Sequence, residues 1–395
     1  MSDIRERPFD DVFDGFEGGR PATPPEGYDE LAGVDYSQEV GAAGVPPTRR
    51  RDRRRLGGRW PRWAKVVAVL TAAAVVVGVG FEVAVSQWKK SLDKNIERIG
   101  DPFQAIPKTE RATVDPVAGD AMNILLLGSD SRISAGNPQD WVSGAQRTDA
   151  IMVLHLAADR KSASVVSIPR DSWVEVPGHG KNKINSAFSF GGPSLMIRTV
   201  ENVTGVRIDH VVVIDFTGFK DITDALGGVK ICVPKTVSDG IGVVKAGCQV
   251  MDGETALQYV RQRKTLAGGD FDRVRRQQNW IRQVARKLAA RGTLTNPMKL
   301  NSALDALTSS TATDDAFTID DMYDLALDYQ GVDVGDIAFF TAPLAKPSTG
   351  YEGSQSVVYL DDAQNKLLWK AYREDKVNAY IAEYAPRVLG ADTVR

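Results

Sequence analysis

Residues 123–132 read NILLLGSDSR. The apolar run Ile124–Leu127 stops at Gly128-Ser129-Asp130, and a short apolar run closed by turn residues predicts a buried β-strand. Working outward, Ile151–Leu156 and Ser164–Ile168 are strands of the same kind, the second closed by Pro169. Gly192–Val203 predicts a helix, His210–Ile214 a strand and Phe216–Leu226 a helix. Strands alternating with helices predict an α/β fold with a layered sheet. Downstream, helices are expected over Asp252–Arg261, from an Asp272 N-cap to about Ala290, and over Met298–Leu307, Ile319–Tyr329 and Asp361–Arg373. Val229–Val233 and the region around Cys248 are expected to form a hairpin-like excursion, and strands are expected at Ile337–Thr341 and Ser356–Leu360. No composition break interrupts these elements, so one domain is expected over 119–378, with a C-terminal tail over 379–395.

The 395 residues carry 49 basic and 51 acidic side chains, a balance that hides strong segregation. Residues 1–48 hold Gly18-Gly19, Pro24-Pro25 and Pro46-Pro47 with little aliphatic periodicity, a composition that buries too little apolar surface to fold. Nine basic residues follow between Arg49 and Lys65. Next to them Val66–Val85 is apolar except for Glu82, about 20 residues, the length that spans a hydrocarbon core. The basic block beside it and Trp60, Trp63 and Trp88 at its ends predict a single transmembrane helix over 65–87. The expected localisation is the cell membrane, single-pass as a signal-anchor, with 1–64 a cytoplasmic tail, 88–118 a stalk and the domain extracytoplasmic. In that oxidising compartment Cys232 and Cys248 are expected to form a disulfide; the alternative is two buried thiols.

The chemistry gathers in residues 259–278, YVRQRKTLAGGDFDRVRRQQ. In the helix after Asp272, Val274, Trp280, Ile281, Val284, Ala285 and Leu288 define one apolar face. Arg273 and Gln277 share that face one turn earlier, Arg276 sits at its edge, and Arg275 points to solvent. Arginine facing a core is costly unless it meets an anion, and in a first turn it also opposes the helix dipole. A bound diphosphate relieves both penalties, since guanidinium matches phosphate bidentately. Arg261 and Arg263 arrive from the preceding helix end. Asp130, Asp149, Arg147 and Arg170 lie at strand ends, where ligands of α/β sheets gather. Two carboxylates with diphosphate oxygens suit Mg²⁺, or Mn²⁺. No Walker A sequence, nucleophile elbow or histidine cluster is present, and no helix-turn-helix pattern precedes residue 65, so no nucleic-acid partner is expected.

These residues resemble the LytR-CpsA-Psr family of bacterial cell-wall proteins. The resemblance rests on NILLLGSDSR (123–132), RTDAIMVLHL (147–156), SIPRDSWVEVPG (167–178), KINSAF (183–188), VVVIDFTGFKDITDALGGVKI (211–231) and GETALQYVRQRKTLAGGDFDRVRRQQ (253–278). It implies a mixed central sheet flanked by helices and a groove for a polyprenyl chain. It implies transfer of a glycopolymer from polyprenyl pyrophosphate to peptidoglycan, leaving a phosphodiester link. The metal carboxylates correspond to Asp130 and Asp149, and the pyrophosphate-binding groups to Arg147, Arg170, Arg261, Arg263, Arg273 and Gln277. Asp270 matches a further acidic position, so the expected catalytic residues are Asp130, Asp149, Arg170 and Asp270. One departure is the long segment Ser131–Thr148, whose Gly136-Asn137-Pro138 suggests a looped insertion. Composition rich in Ala, Val, Arg and Gly is compatible with an actinobacterial source. Two other readings of the same residues are a polyprenyl-pyrophosphate hydrolase and a non-catalytic lipid-binding regulatory protein.

Overall fold

The computed structural model describes residues 62–130 and 146–390. The expected disordered tail, the basic run up to residue 61, the insertion at 131–145 and the last five residues lie outside the described residues. The chain divides into two units, Met1–Lys65 and Val66–Arg395, and the second holds the folded domain.

Helix α1 (Arg62–Asn95) leads to β1 (Glu97–Arg98). Strands β2 (Met122–Ser129), β3 (Thr148–Leu156) and β4 (Ala163–Ser167) follow, then β5 (Trp173–Val176), β6 (Gly180–Lys183) and α2 (Asn185–Thr204). The middle of the chain forms β7 (His210–Ile214), α3 (Phe216–Ala225), β8 (Val229–Val233), β9 (Val237–Ser238), β10 (Val243–Val244), β11 (Gly247–Met251), α4 (Gly253–Arg261) and α5 (Asp270–Ala289). Last come α6 (Arg291–Leu294), α7 (Pro297–Ser309), β12 (Thr311–Thr313), α8 (Ile319–Asp328), β13 (Ala338–Thr341), β14 (Leu344–Glu352), β15 (Gln355–Leu360), α9 (Asp362–Arg373) and α10 (Val377–Tyr384).

The central sheet has the order β1-β12-β7-β2-β3-β4-β13. It is mixed: β2 runs antiparallel to β3 and parallel to β7. Period-two alternation along β2 divides its side chains between two layers. Leu125 and Leu127 pack with Phe188, Met196, Val200, Trp369 and Tyr372, which puts α2 and α9 on one face. Ile124 and Leu126 face the opposite layer, which contains Phe317 and the α8 residues Met322 and Leu325. Met152 and Phe339 on that side meet Ile281 of α5 and Leu389 of the tail. Arg282 of α5 fastens the tail by donating to the carbonyls of Leu389 (3.4 Å) and Gly390 (2.7 Å).

The expected transmembrane helix is corrected, and with it the single-pass, signal-anchor placement. Among the described residues no helix is long and apolar enough to cross a membrane. Thr71, Gly78, Gly80 and Glu82 lie within that run. The helix also continues past it into a charged end docked on the domain. There Trp88 Nε1 donates to Asn301 (2.6 Å), Lys89 to Asp320 (2.8 Å) and Asn95 to Asp305 (2.6 Å), and Leu92 is buried.

Cys232 and Cys248 form a disulfide. They sit opposite each other in the β8–β11 pairing. α2 starts earlier than Gly192 because Asn185–Phe190 is already helical, and Gly191 and Gly192 kink it before Pro193. The β14 strand was not expected; Lys346, Pro347 and Ser348 obscure its alternation.

Candidate functional site

A groove of about 640 Å³ opens between the β2–β3 face of the sheet and helices α3, α4, α5 and α7. Its wall is graded by α5. Trp280, Ile281, Val284, Ala285 and Leu288 line the apolar stretch, and Arg273 and Gln277 line the polar end. From Arg273 to Leu288 the helix rises about 22 Å. Leu126, Met152 and Leu154 form the sheet side. The groove exists because alternation along β2 and β3 presents a second apolar face that the helices do not close.

At the polar end the guanidinium groups are deeply seated. Arg273 is 4% exposed. Its Nη2 lies 2.9 Å from Asp270 Oδ1 and its Nη1 3.8 Å from Asp149 Oδ1. Arg170 forms a very close ion pair with the same Asp149 oxygen and lies 3.9 Å from Asp270 and 3.7 Å from Asp171. The Nε atoms of Arg170 and Arg273 are buried and have no hydrogen-bond partner. Burial, opposed by Asp270 and assisted by the neighbouring Arg170 charge, holds the Arg273 guanidinium below its ordinary pKa. Burial also disfavours the Arg170 charge, but Asp149, Asp270 and Asp171 outweigh it and raise the pKa. Positive groups held close together, with donors still unpaired, form a receptor for a multiply charged anion.

Arg261 and Arg263 line the same end, with Asp239 and Lys264. The Arg261 guanidinium lies over the Phe216 ring, 4.7 Å from its centroid. Gln277 Nε2 reaches the Asp149 carbonyl at 3.5 Å. Six of the expected residues thus line one groove: Asp149, Arg170, Arg261, Arg263, Arg273 and Gln277. Asp270 joins it through Arg273. Asp130 and Arg147 are not among the groove-lining residues. They hold each other across the strand ends, Arg147 N donating to Asp130 Oδ1 at 3.0 Å and Asp130 N to the Arg147 carbonyl at 3.2 Å.

Helix phase needs three corrections. The α5 N-cap is Gly269, not Asp272; Asp272 turns back to accept from Gly268 N at 2.8 Å. Arg275 is half-buried and pairs with Asp272 at 3.0 Å rather than standing free in solvent. Arg276 is not marginal but 1% exposed. Its Nη1 donates to the Tyr259 carbonyl (3.1 Å) and to Gln262 Oε1 (3.0 Å).

Gln262 was missed by sequence reasoning. Its Nε2 donates to the carbonyls of Val237 and Gly242, pinning the segment whose Asp239 and Ile241 line the groove. A polar residue between two arginines gives no local sign of burial; only the inward turn between α4 and α5 creates it.

Among the described residues no group of three His, Cys, Asp or Glu is arranged to hold a metal ion. The donors present still suit Mg²⁺, which is commonly bound by one or two carboxylates and completed by substrate phosphates. Both ion contacts of Asp149 fall on Oδ1, which leaves Oδ2 outside them. Asp130 stands at the adjoining strand end, beside the Ser129–Thr148 pair.

The LytR_cpsA_psr family model matches residues 87–374. The chain belongs to that family. A probable cell wall biosynthesis protein LcpB of Corynebacterium glutamicum is 39% identical over 236 residues, 58% of this chain and 54% of the relative. The chain thus spans about half of that relative's length. A polyisoprenyl-teichoic acid–peptidoglycan teichoic acid transferase TagU of Enterococcus faecalis is 31% identical over 269 residues, 66% of this chain and 80% of the relative. The crystal structure of Bacillus subtilis TagV is similar with a TM-score of 0.55 at 26% identity, covering 65% of this chain and 97% of that one. Family members from Corynebacterium, Enterococcus and Bacillus all match, so the matches assign the family and not an actinobacterial subtype.

Proposed function

We propose that this protein transfers a glycopolymer from a polyprenyl pyrophosphate to peptidoglycan, leaving a phosphodiester link. The observation that carries the reading is a single groove, apolar along most of α5 and closed at one end by buried arginines with unpaired donors. A long hydrocarbon attached to a diphosphate has that polarity, and TagU is named for a transfer of that kind.

In this reading Arg170, Arg261, Arg263, Arg273 and Gln277 bind the diphosphate, and Arg147 approaches it from the strand end. Asp270 holds Arg273 in place. An acceptor hydroxyl attacks the glycan-side phosphorus in line. The new P–O bond forms as the bond to the bridging oxygen breaks. Polyprenyl phosphate leaves with the electron pair, and the hydroxyl proton passes to solvent. Arginines fixed before the reaction stabilise the charge that builds on the leaving phosphate. Asp130 and Asp149 would hold Mg²⁺ or Mn²⁺, which when bound neutralises diphosphate charge.

The test supplies purified full-length protein with lipid-linked glycan, peptidoglycan and Mg²⁺. Linked product that disappears with EDTA and returns with Mg²⁺ supports the whole reading. Product insensitive to chelation removes the metal from it. Lipid phosphate release that is indifferent to acceptor, without linked product, replaces transfer by hydrolysis. Binding of the lipid with no turnover replaces it by a lipid-binding role.

A further inference from the structure

The groove lining includes Arg170 and then resumes only at Val212. What stands beyond Arg170 is the β14–β15 hairpin. Val358 N donates to the Asp171 carbonyl at 2.8 Å, and Ser172 bridges Val358 in parallel. Asp171 itself contacts Arg170 at 3.7 Å and Lys183 at 3.2 Å. The hairpin is therefore continuous with the head-group end of the groove through one residue. The parallel sense of the bridge directs β15 residues that precede Val358 toward the Arg170 side of Ser172. Tyr351 pairs with Ser356, two positions from the Thr349–Val358 pair, or about 7 Å along the strand.

Tyr351 is 74% exposed, on a hairpin that is stiff beneath it. Tyr359 packs flat on Gly350, where a Cβ would lie 2.6 Å from its ring, and its hydroxyl donates to Glu352 at 2.9 Å. Ser356 stands opposite Tyr351 in the pairing, on the same face of the hairpin, and the Glu352–Gln355 pair closes the turn on the other face. A large exposed aromatic face beside a hydroxyl group is suited to a flat, amphipathic partner. A pyranose ring, apolar across its C–H face and polar at its rim, is such a partner.

In-line displacement fixes where that sugar must be. The leaving polyprenyl phosphate lies along the groove, so the attacking hydroxyl enters from the opposite side of the phosphorus. The hairpin meets the chain at Asp171 and Ser172, next to Arg170, and none of its residues lines the groove. We propose that Tyr351 and the β14–β15 hairpin form the acceptor subsite, binding a sugar of the peptidoglycan strand through the Tyr351 ring. This rests on the transfer reading above.

Two measurements on the full-length protein separate the two ideas. Titration with enzymatically solubilised peptidoglycan strands, without donor, reads acceptor binding alone. Transfer kinetics at varied acceptor read its use. Tyr351→Ala raises both the strand Kd and the acceptor KM about fivefold to tenfold, the size of one lost aromatic contact, and leaves the donor KM unchanged. Tyr351→Phe, which keeps the face, restores both acceptor values. If Tyr351→Ala matches wild type in strand Kd and acceptor KM while wild type makes product, the acceptor subsite is elsewhere and the transfer reading stands. If wild type makes no product, the transfer reading falls. Strand binding lost equally in Tyr351→Phe and Tyr351→Ala refutes stacking on the ring.

Discussion

Arg273 and Arg275 are two residues apart on one helix, carry the same charge and each pair with an aspartate, yet Arg273→Ala and Arg275→Ala should differ sharply. Arg273 is 4% exposed, with Asp270 at 2.9 Å and Asp149 at 3.8 Å, and its Nε is unpaired. Removing it leaves two carboxylates beside Arg170 alone and takes away a preorganised donor to the leaving phosphate. Losing one such donor costs about 3–4 kcal/mol of transition-state stabilisation, a rate loss of roughly 10²–10³. Arg275 contacts Asp272 and is not among the groove-lining residues. Arg275→Ala leaves Asp272 with the Gly268 N–H, so it costs about 1–3 kcal/mol of stability and less than about fivefold in rate. The assay is transfer of labelled glycan to peptidoglycan at saturating substrate, with urea unfolding of each variant. Equal rate losses in two folded variants, or Arg273→Ala within about fivefold of wild type, would refute the assignment of the helix face.

Gln262→Leu removes an acceptor from buried Arg276 and a donor from two carbonyls, and should lower unfolding free energy by about 2–4 kcal/mol; urea midpoints unchanged from wild type would show that the relay bears little stability. Reducing Cys232–Cys248 opens a link of sequence separation 16, worth about 3 kcal/mol in the chain-entropy account, and Cys232→Ser with Cys248→Ser should lower Tm to the same value as reductant does. His155 Nε2 donates to the Asp375 carboxylate at 2.9 Å and Nδ1 meets Asn123 Oδ1 at 2.8 Å, and burial, opposed by Asp375, lowers its pKa. A lowered folded pKa means that the unfolded chain takes up the proton first as pH falls. That contribution is complete above about pH 6.5 and lost below it, so stability should drop by about 1 kcal/mol between pH 7.5 and 5.5, with a smaller slope in His155→Gln.

Strand and helix identity were legible wherever the periodicity was undisturbed: β2, β4, β7, α3 and α4 lie within a residue or two of expectation. The burial of Arg273 was legible because it shares the apolar face of α5. The site was illegible where a buried charge finds its partners on distant chain. Arg276 looked marginal because its partners, the Tyr259 carbonyl and Gln262, meet it only after the turn between α4 and α5 closes. Arg275 looked free because Asp272 was assigned to the N-cap. The apolar run before the domain was read from its length, its single charge Glu82 and its flanks; among the described residues no helix is long and apolar enough to cross a membrane.

The docked end of α1 has a mechanical consequence. Trp88, Lys89 and Asn95 grip α7 and α8 from successive turns, and α7 supplies Leu307 to the groove wall. These contacts fix the end of the helix to the domain. From Val66 to Gln87 the helix extends about 33 Å with Val75, Val77, Val79 and Phe81 exposed, and any partner that takes hold of that length sets the angle at which the groove meets its substrates.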